Sequence, residues 1–500
     1  MLNLLKFKKK YSFFLKKCAL VSLPLIAFIV YATYLFQAIH VERALYADGA
    51  NFFVELLSKD SAWPIADDSK HIRLFVNILN QAPVVLALEF GVTSLRSLRI
   101  FFGVGLFLTP LFFYFYCVYL SHRARDYRVL FFSIASLITC ALPSDMFVIN
   151  QAFTSLALAW VMLHYLLLDL KIKWVDWVVV LAISLLLFRA HESLILWGVI
   201  FFIASICVIF FQRRNNIHDK TLIVYAIGSL GLLQSAFVAL WLYSHPLGEQ
   251  SSGYLQLIYL LNPSQLWIGN TRISMLMVVA LFLVFIFQVR SNPSFATWKI
   301  VRVIAAFGLF FILVLILLSG YSALVDFNIT DPGREYAYRF LITFGAAGWM
   351  LCAITFIFVD KTFANGARTL SRAVLSVGII SASLWQISNN IQWSIFASSS
   401  SQVLRSSAAS IVDPIEVHKK MVSIGQQNTF KYSWGWAWPV LGMSLQESGA
   451  VEKLFRTDGW EIYFNPPKRI PFIPMSGGDI GSEGVGLFRF DLLPKLRESP

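Results

Sequence analysis

Residues 18–53 read CALVSLPLIAFIVYATYLFQAI followed by HVERALYADGANFF, and the junction between these two parts governs how the rest of the chain is read. The first part is an apolar run of about 22 residues, the length a helix needs to cross a bilayer. The second belongs to a stretch, residues 40–97, that holds seven of the chain's 28 acidic residues: Glu42, Asp48, Glu55, Asp60, Asp67, Asp68 and Glu89. Working outward, this stretch predicts two helices joined by a turn over residues 59–69, neither apolar enough to span comfortably, so both are expected along the membrane surface. In the second helix Arg73, Asn77 and Gln81 recur every four residues, opposite Phe75, Ile78, Leu79, Ala82 and Leu86.

The amino-terminal side gives the first run its role. Lys6, Lys8, Lys9, Lys10, Lys16 and Lys17 precede it, as in a signal peptide, but the run is too long for a signal core and no small-x-small site follows it. It is read as a retained first span. With 57% hydrophobic and 14% charged residues among 500, the chain predicts an all-α polytopic membrane protein; the long unbroken apolar runs exclude a membrane β-barrel. All five cysteines (Cys18, Cys117, Cys140, Cys207, Cys352) fall within apolar runs, which argues against a disulfide frame or a thiolate metal site.

About eleven spans are expected, near 18–39, 98–120, 129–142, 152–169, 174–188, 193–211, 221–243, 273–289, 303–319, 340–359 and 373–389. With the amino terminus cytoplasmic, the inner segments carry 20 Lys and Arg, and the five outer segments between spans carry 9 in nearly twice the length. The net charge of +13 therefore orients the protein in a membrane and does not point to nucleic acid as a partner. The spans 174–188 and 193–211 are separated only by Arg189-Ala190-His191-Glu192, so a re-entrant hairpin stands beside the two-span reading.

After residue 389 the long apolar runs stop and Ser398–Ser401 follows, giving a transmembrane domain over 1–389 and an outer, small α/β domain over 390–500. Residues 401–425 predict two short helices broken at Asp413-Pro414, and Trp434, Trp436 and Trp438 alternate as on one face of a strand, for packing or for stacking on a sugar. There is no internal repeat, phosphate-binding glycine loop or paired-cysteine zinc spacing.

Several groups have the chemistry for function. Asp48, beside Gly49, reads either as a general base or as an Asp-Gly turn or helix cap. Asp67 and Asp68 read as caps of the second surface helix; with Glu42 and Asp48 they would offer oxygen ligands to a divalent cation if they converge. Arg189, His191 and Glu192 sit where an ionisable group must be paired or wet. Arg272, Arg334 and Arg339 lie on the outer side against the orientation rule, where guanidinium groups suit either phosphate or interfacial anchoring.

An inner amino terminus, a long first outer loop with an early Asp48, many further spans and an outer carboxyl domain resemble the GT-C class of membrane glycosyltransferases. The resemblance rests on layout and on the segment around Asp48; no second acid sits beside Asp48. It implies a catalytic carboxylate at Asp48, a polyprenyl-phosphate-linked sugar as donor and a glycan or lipid acceptor at the outer face of the plasma membrane. The polar stripe and the outer arginines would then bind sugar, lipid head group or phosphate. A carrier or flippase for a lipid-linked sugar, and a polysaccharide polymerase or ligase, are the competing readings.

Overall fold

The computed structural model describes residues 22–58, 63, 72–142, 151–215, 220–245, 341–359, 365–426, 437–447 and 451–456. These residues are mostly helical. Helix α1 is Ser22–His40; a 3-10 turn, Arg43–Leu45, leads into α2 (Asp48–Ser58). Then follow α3 (Leu74–Glu89), α4 (Leu95–Ala124), α5 (Arg128–Ser136), α6 (Gln151–Leu167), α7 (Trp174–Phe188), α8 (Leu194–Asn215) and α9 (Thr221–Ser244). Beyond them come α10 (Ala346–Val359), α11 (Asn365–Ser406), α12 (Ile415–Ser423) and α13 (Trp438–Ser444), with strands β1 (Ile411–Val412) and β2 (Leu454–Phe455).

Three of these helices, Ser22–His40, Leu95–Ala124 and Thr221–Ser244, are long and apolar enough to cross a membrane, and six shorter apolar helices accompany them. The expected spans 273–289 and 303–319 lie outside the described residues. The close pair 174–188 and 193–211 forms two separate helices, α7 and α8.

Helix α6 is the axis of the bundle. All of its residues are buried, from Gln151 to Leu167, as expected of a helix apolar on every side. Helices α3, α4, α5, α7, α8, α9 and α10 pack around it or against its neighbours. Where two helices come closest the side chains are small, because in lipid they associate by close packing. A Cβ on Gly198 of α8 would stand 2.2 Å from the Gly231 carbonyl oxygen of α9, and one on Gly228 would stand 2.6 Å from Ser205 Cβ.

The two ends of α6 gather different segments. At its start, Gln151 meets Arg73 of the first loop and, through it, Glu192 of the α7–α8 link. At its end, the Leu166 and Leu168 carbonyls accept from Lys220 Nζ at 3.0 and 2.5 Å. Nearby, Arg123 at the foot of α4 forms two 2.7 Å bonds with Asp176 at the head of α7. The ends are about 25 Å apart at 1.5 Å per residue. Segments that alternation along the sequence assigns to one side therefore meet one another in space.

Two π-helical turns, Leu137–Ala141 and Leu341–Gly345, both begin Leu-Ile-Thr and touch, and Trp349 Nε1 donates to Thr139 Oγ1 at 2.7 Å. Helix α11 contains the expected last span, 373–389, within a longer helix. It runs unbroken through residue 390 and the serine run to Ser406, so the first of the two short helices expected over 401–425 is its continuation. Its buried Gln386, Asn389, Asn390, Ser399 and Ser400 explain why the stretch reads as polar while remaining packed. Asn390 Nδ2 donates to the Tyr34 carbonyl of α1 at 3.3 Å.

Past Ser406 the chain forms a small α/β unit. Strands β1 and β2 pair in parallel, Ile411 with Leu454 and Val412 with Phe455. Asp413 and Pro414 start α12, the Asp413 carboxylate accepting from the Ile415 N–H at 2.9 Å. Trp438 opens a helix where a strand was expected: Pro439, in the first turn, suits a helix start and lacks the N–H a ladder needs. Trp434 and Trp436 lie outside the described residues.

Candidate functional site at the start of the central helix

The 41–48 turn carries Asp48, and three distant elements fix it. Glu42 and Ala47 both have left-handed backbone, φ 57° and 47°, which L-residues adopt only when surroundings impose it. Arg43 is 1% exposed, its guanidinium 4.9 Å from the Tyr46 ring and 5.4 Å from the Trp393 ring of α11. Trp393 Nε1 also donates to the Val41 carbonyl at 3.0 Å. Arg99 of α4 stands 2.8 Å from Glu42 Oε2 and donates to the Ser444 and Gln446 carbonyls, each at 2.9 Å.

Asp48 thus opens α2 as a half-buried carboxylate in the first turn. Gly49 follows because a side chain there would run into the Ala44 carbonyl oxygen, 1.7 Å from an ideal Cβ. The same Cβ position is 3.9 Å from Phe102 of α4. One turn along α4, a Cβ on Gly105 would stand 1.9 Å from the Asn80 carbonyl oxygen of α3. The Asp48 turn and α3 therefore rest on adjoining positions of one helix.

Helix α3 turns its polar stripe inward. Asn77 and Gln81 are buried, while Leu86 and Phe90 face outward. Arg73, immediately before the helix, donates through Nε to Glu192 at 3.0 and 3.2 Å and through Nη1 to Gln151 Oε1 at 2.9 Å. Gln151 Nε2 donates in turn to Asn77 Oδ1. The backbone joins the same segments, the Phe75 N–H donating to the Arg189 carbonyl at 3.0 Å.

The α7–α8 link continues the network. His191 Nδ1 accepts from the Ser193 N–H at 3.2 Å, which leaves the ring proton on Nε2, 3.3 Å from Glu192 Oε2. Ser193 Oγ lies 2.9 Å from His191 Nδ1 and 2.8 Å from Thr343 Oγ1 in the second π-turn. Arg189 lies over the Trp241 ring at 4.3 Å, and burial pushes its guanidinium below the ordinary arginine range.

The first-loop stripe (Arg73, Asn77) and the link (Arg189, His191, Glu192) are thus one connected cluster, whereas Gln81 is buried farther along α3. Asp48, at the start of α2, stands outside this cluster of contacts, in a turn that rests on α4 near Phe102. Arg272, Arg334 and Arg339 lie outside the described residues, as do Asp67 and Asp68. Helix α3 has Leu74 as its first helical residue and Arg73 at the N-cap position. Among the described residues no group of three or more His, Cys, Asp and Glu side chains gathers as metal ligands.

Comparison with protein-family models, curated proteins and solved structures finds no match to this chain. Its site is therefore argued from its own residues. Sequence reasoning passed over Arg43, Arg99, Gln151 and Trp393, and named Glu55 only among the acids of the first loop. Arg99 carried a usable signal, an ionisable group inside an expected span. Glu55, 3% exposed, shares the inner face of α2 with Asn51 and Asp48 at helical spacing.

Proposed function

We propose that this chain is a membrane glycosyltransferase of the GT-C type, moving a sugar from a polyprenyl-phosphate donor to an acceptor hydroxyl at the outer face of the plasma membrane. The amino terminus is cytoplasmic and the carboxyl-terminal unit extracytoplasmic in this reading, from the 20-to-9 bias of Lys and Arg. The observation that carries it is the convergence of Arg73 with Glu192 and of the α3 backbone with Arg189, on a helix, α3, that shares α4 with the turn that presents Asp48.

In the mechanism, Arg73 and Arg189 bind the donor phosphate; planar guanidinium groups suit oxyanions, and partial burial strengthens each contact. Asp48 accepts the proton of the acceptor hydroxyl as its oxygen attacks the anomeric carbon. The bond from that carbon to the phosphate oxygen breaks, and the lipid phosphate leaves with its charge stabilised by the arginines. No metal is required by these steps, although a divalent cation would be compatible with the acids of the first loop.

The test is incubation of purified protein in lipid with a panel of polyprenyl-phosphate sugars, reading release of polyprenyl phosphate. Release with a defined sugar supports the proposal, and none with any donor and acceptor pair defeats it. One observation favours a carrier instead: the paired Leu-Ile-Thr π-turns, at the end of α5 and the start of α10, lie against each other, and transporters place such irregular backbone around a binding site. A carrier moves labelled donor between leaflets without cleaving it.

A further inference from the structure

Arg99 sits near the start of α4 with its side chain only 7% exposed. A buried guanidinium needs acceptors around its whole edge, and Arg99 finds them on two segments far apart in sequence. Its Nε stands 2.8 Å from Glu42 Oε2, and its Nη1 donates to the Ser444 and Gln446 carbonyls at 2.9 Å each. Ser444 closes α13, and the last carbonyls of a helix lack intrahelical donors and favour a cation. One side chain thus joins the turn before α2 to the carboxyl-terminal unit, reaching Ser444 across 345 residues of sequence.

A second connection between the same parts is aromatic. Tyr46, in the turn, meets Trp393 of α11 edge-on with ring centroids 5.9 Å apart. Trp393 meets Phe396 at 5.7 Å, Phe396 meets Trp438 of α13 at 5.6 Å, and Trp438 meets Phe455 of β2 at 5.0 Å. Helix α13 also packs against α2 itself. The rings supply area that tolerates small shifts, whereas the ion pair and hydrogen bonds of Arg99 are directional. What they hold is strained backbone, left-handed at Glu42 and Ala47, neither of them a glycine. Glu42 is the residue that Arg99 holds, and without that hold it would favour right-handed backbone and redirect the chain just before Asp48.

We infer that Arg99 is a positioning residue for Asp48: by tying Glu42 to the end of α13 it fixes the direction in which α2 presents its first carboxylate. The carboxyl-terminal unit is then part of the catalytic apparatus and not an appendage to it. The inference rests on the reading of Asp48 as the base and goes beyond it by assigning what aims that base. Arg99 touches neither donor nor acceptor. Its loss acts on turnover through the geometry of Asp48, and a misplaced catalytic group is costly even when binding is intact.

The experiment uses the full chain in lipid nanodiscs and compares wild type with Arg99→Gln, Glu42→Gln, Asp48→Asn and the double variant Arg99→Gln/Asp48→Asn, each judged folded by thermal unfolding. Gly228→Ala, in the α8–α9 seam, controls for a general loss of stability. Turnover of a polyprenyl-phosphate sugar should fall about 10–100-fold in Arg99→Gln and in Glu42→Gln, with polyprenyl-phosphate binding near wild type. Hydrogen exchange over residues 41–53 should quicken about tenfold or more in these two variants, and in neither Asp48→Asn nor Gly228→Ala. The double variant should turn over no more slowly than Asp48→Asn alone, because Arg99 acts only through Asp48. Where Arg99→Gln does not fold, Glu42→Gln and its double variant with Asp48→Asn carry the same comparison. Wild-type turnover or unchanged exchange in the folded variants, or losses that multiply in the double variant, overturns the inference. Failure of the parent reading looks different: wild type itself releases no polyprenyl phosphate with any donor and acceptor pair, and the inference falls with it.

Discussion

Arg73, at the head of α3, holds Glu192 from 119 residues farther along the chain, its Nε 3.0 Å from Oε1 and its Nη2 2.9 Å from the same oxygen. The two side chains are only 21% and 18% exposed, so solvent screens the pair weakly. The bond ties the segment before α3 to the α7–α8 link. Glu192 occupies in the free protein a position on Arg73 that a phosphate oxygen can take. Arg73→Gln should therefore cost about 1–3 kcal/mol of stability, and Arg73→Gln and Arg189→Ala should each weaken polyprenyl-phosphate binding about tenfold or more. Arg96→Ala, at an exposed position, should leave binding near wild type. Equal affinities in all three would remove the phosphate role from this cluster.

Asp48→Asn keeps the size of the side chain and most of its hydrogen bonding but gives no useful base. Turnover should fall about 10²–10⁴-fold while donor binding is retained. Thermal stability should drop by no more than about 1 kcal/mol, the worth of a first-turn acid or cap. A carrier would instead keep its transport rate within a few fold. Full turnover by the variant would direct attention to Glu55 on the same face of α2 or to Glu192.

Gly105 and Gly348 make a matched pair. A Cβ on Gly105 would enter the Asn80 backbone, which no side-chain rotation relieves, so Gly105→Ala should cost about 1–3 kcal/mol by prising α3 from α4. Around Gly348 in α10, no atom of the described residues comes within 4 Å of an ideal Cβ, so Gly348→Ala should gain about 0.5–1 kcal/mol from backbone entropy. Thermal unfolding of both variants measures the contrast, and a stabilised Gly105→Ala would refute the tight α3–α4 approach.

Lys220 lies just before α9, 5% exposed, with desolvation lowering its pKa from the usual 10.5 to about 8. Above about pH 8 the folded state has released a proton that the unfolded chain keeps until about 10.5. Stability from this group should therefore rise with pH across that window, by on the order of 3 kcal/mol, and be lowest below it. Lys220→Met should abolish this increment and leave the Leu166 and Leu168 carbonyls at the end of α6 without their donor. Chemical unfolding at a series of pH values reads both effects. A stability that falls from pH 8 to 10 in wild type but not in Lys220→Met would contradict the sign.

Sidedness is open to cysteine labelling in a cysteine-free background. Leu45, 0% exposed, is a poor reporter. The exposed Glu89 and Glu416 should label from outside, and the exposed Lys171 from the cytoplasm. Labelling of Glu89 and Lys171 from the same side would break the alternation itself.

The sequence by itself determined that this is a helical membrane-type chain and approximately where its helices lie, because apolar length and the placement of Lys and Arg are properties of each segment alone. Span limits such as 174–188 and 221–243 fall within a residue or so of α7 and α9 for that reason. It also marked Arg73, Asn77, Arg189, His191 and Glu192 as polar groups needing explanation. Only the tertiary structure decided that they explain one another, since no spacing rule relates Arg73 to Glu192 or Trp349 to Thr139. Tertiary packing likewise decided that α11 continues through its serine run to Ser406, because buried partners such as the Tyr34 carbonyl satisfy polar groups that locally signal an end. It decided, finally, that Arg43 and Arg99 hold the Asp48 turn, since rings and carbonyls supplied from distant elements make burial of those cations tolerable.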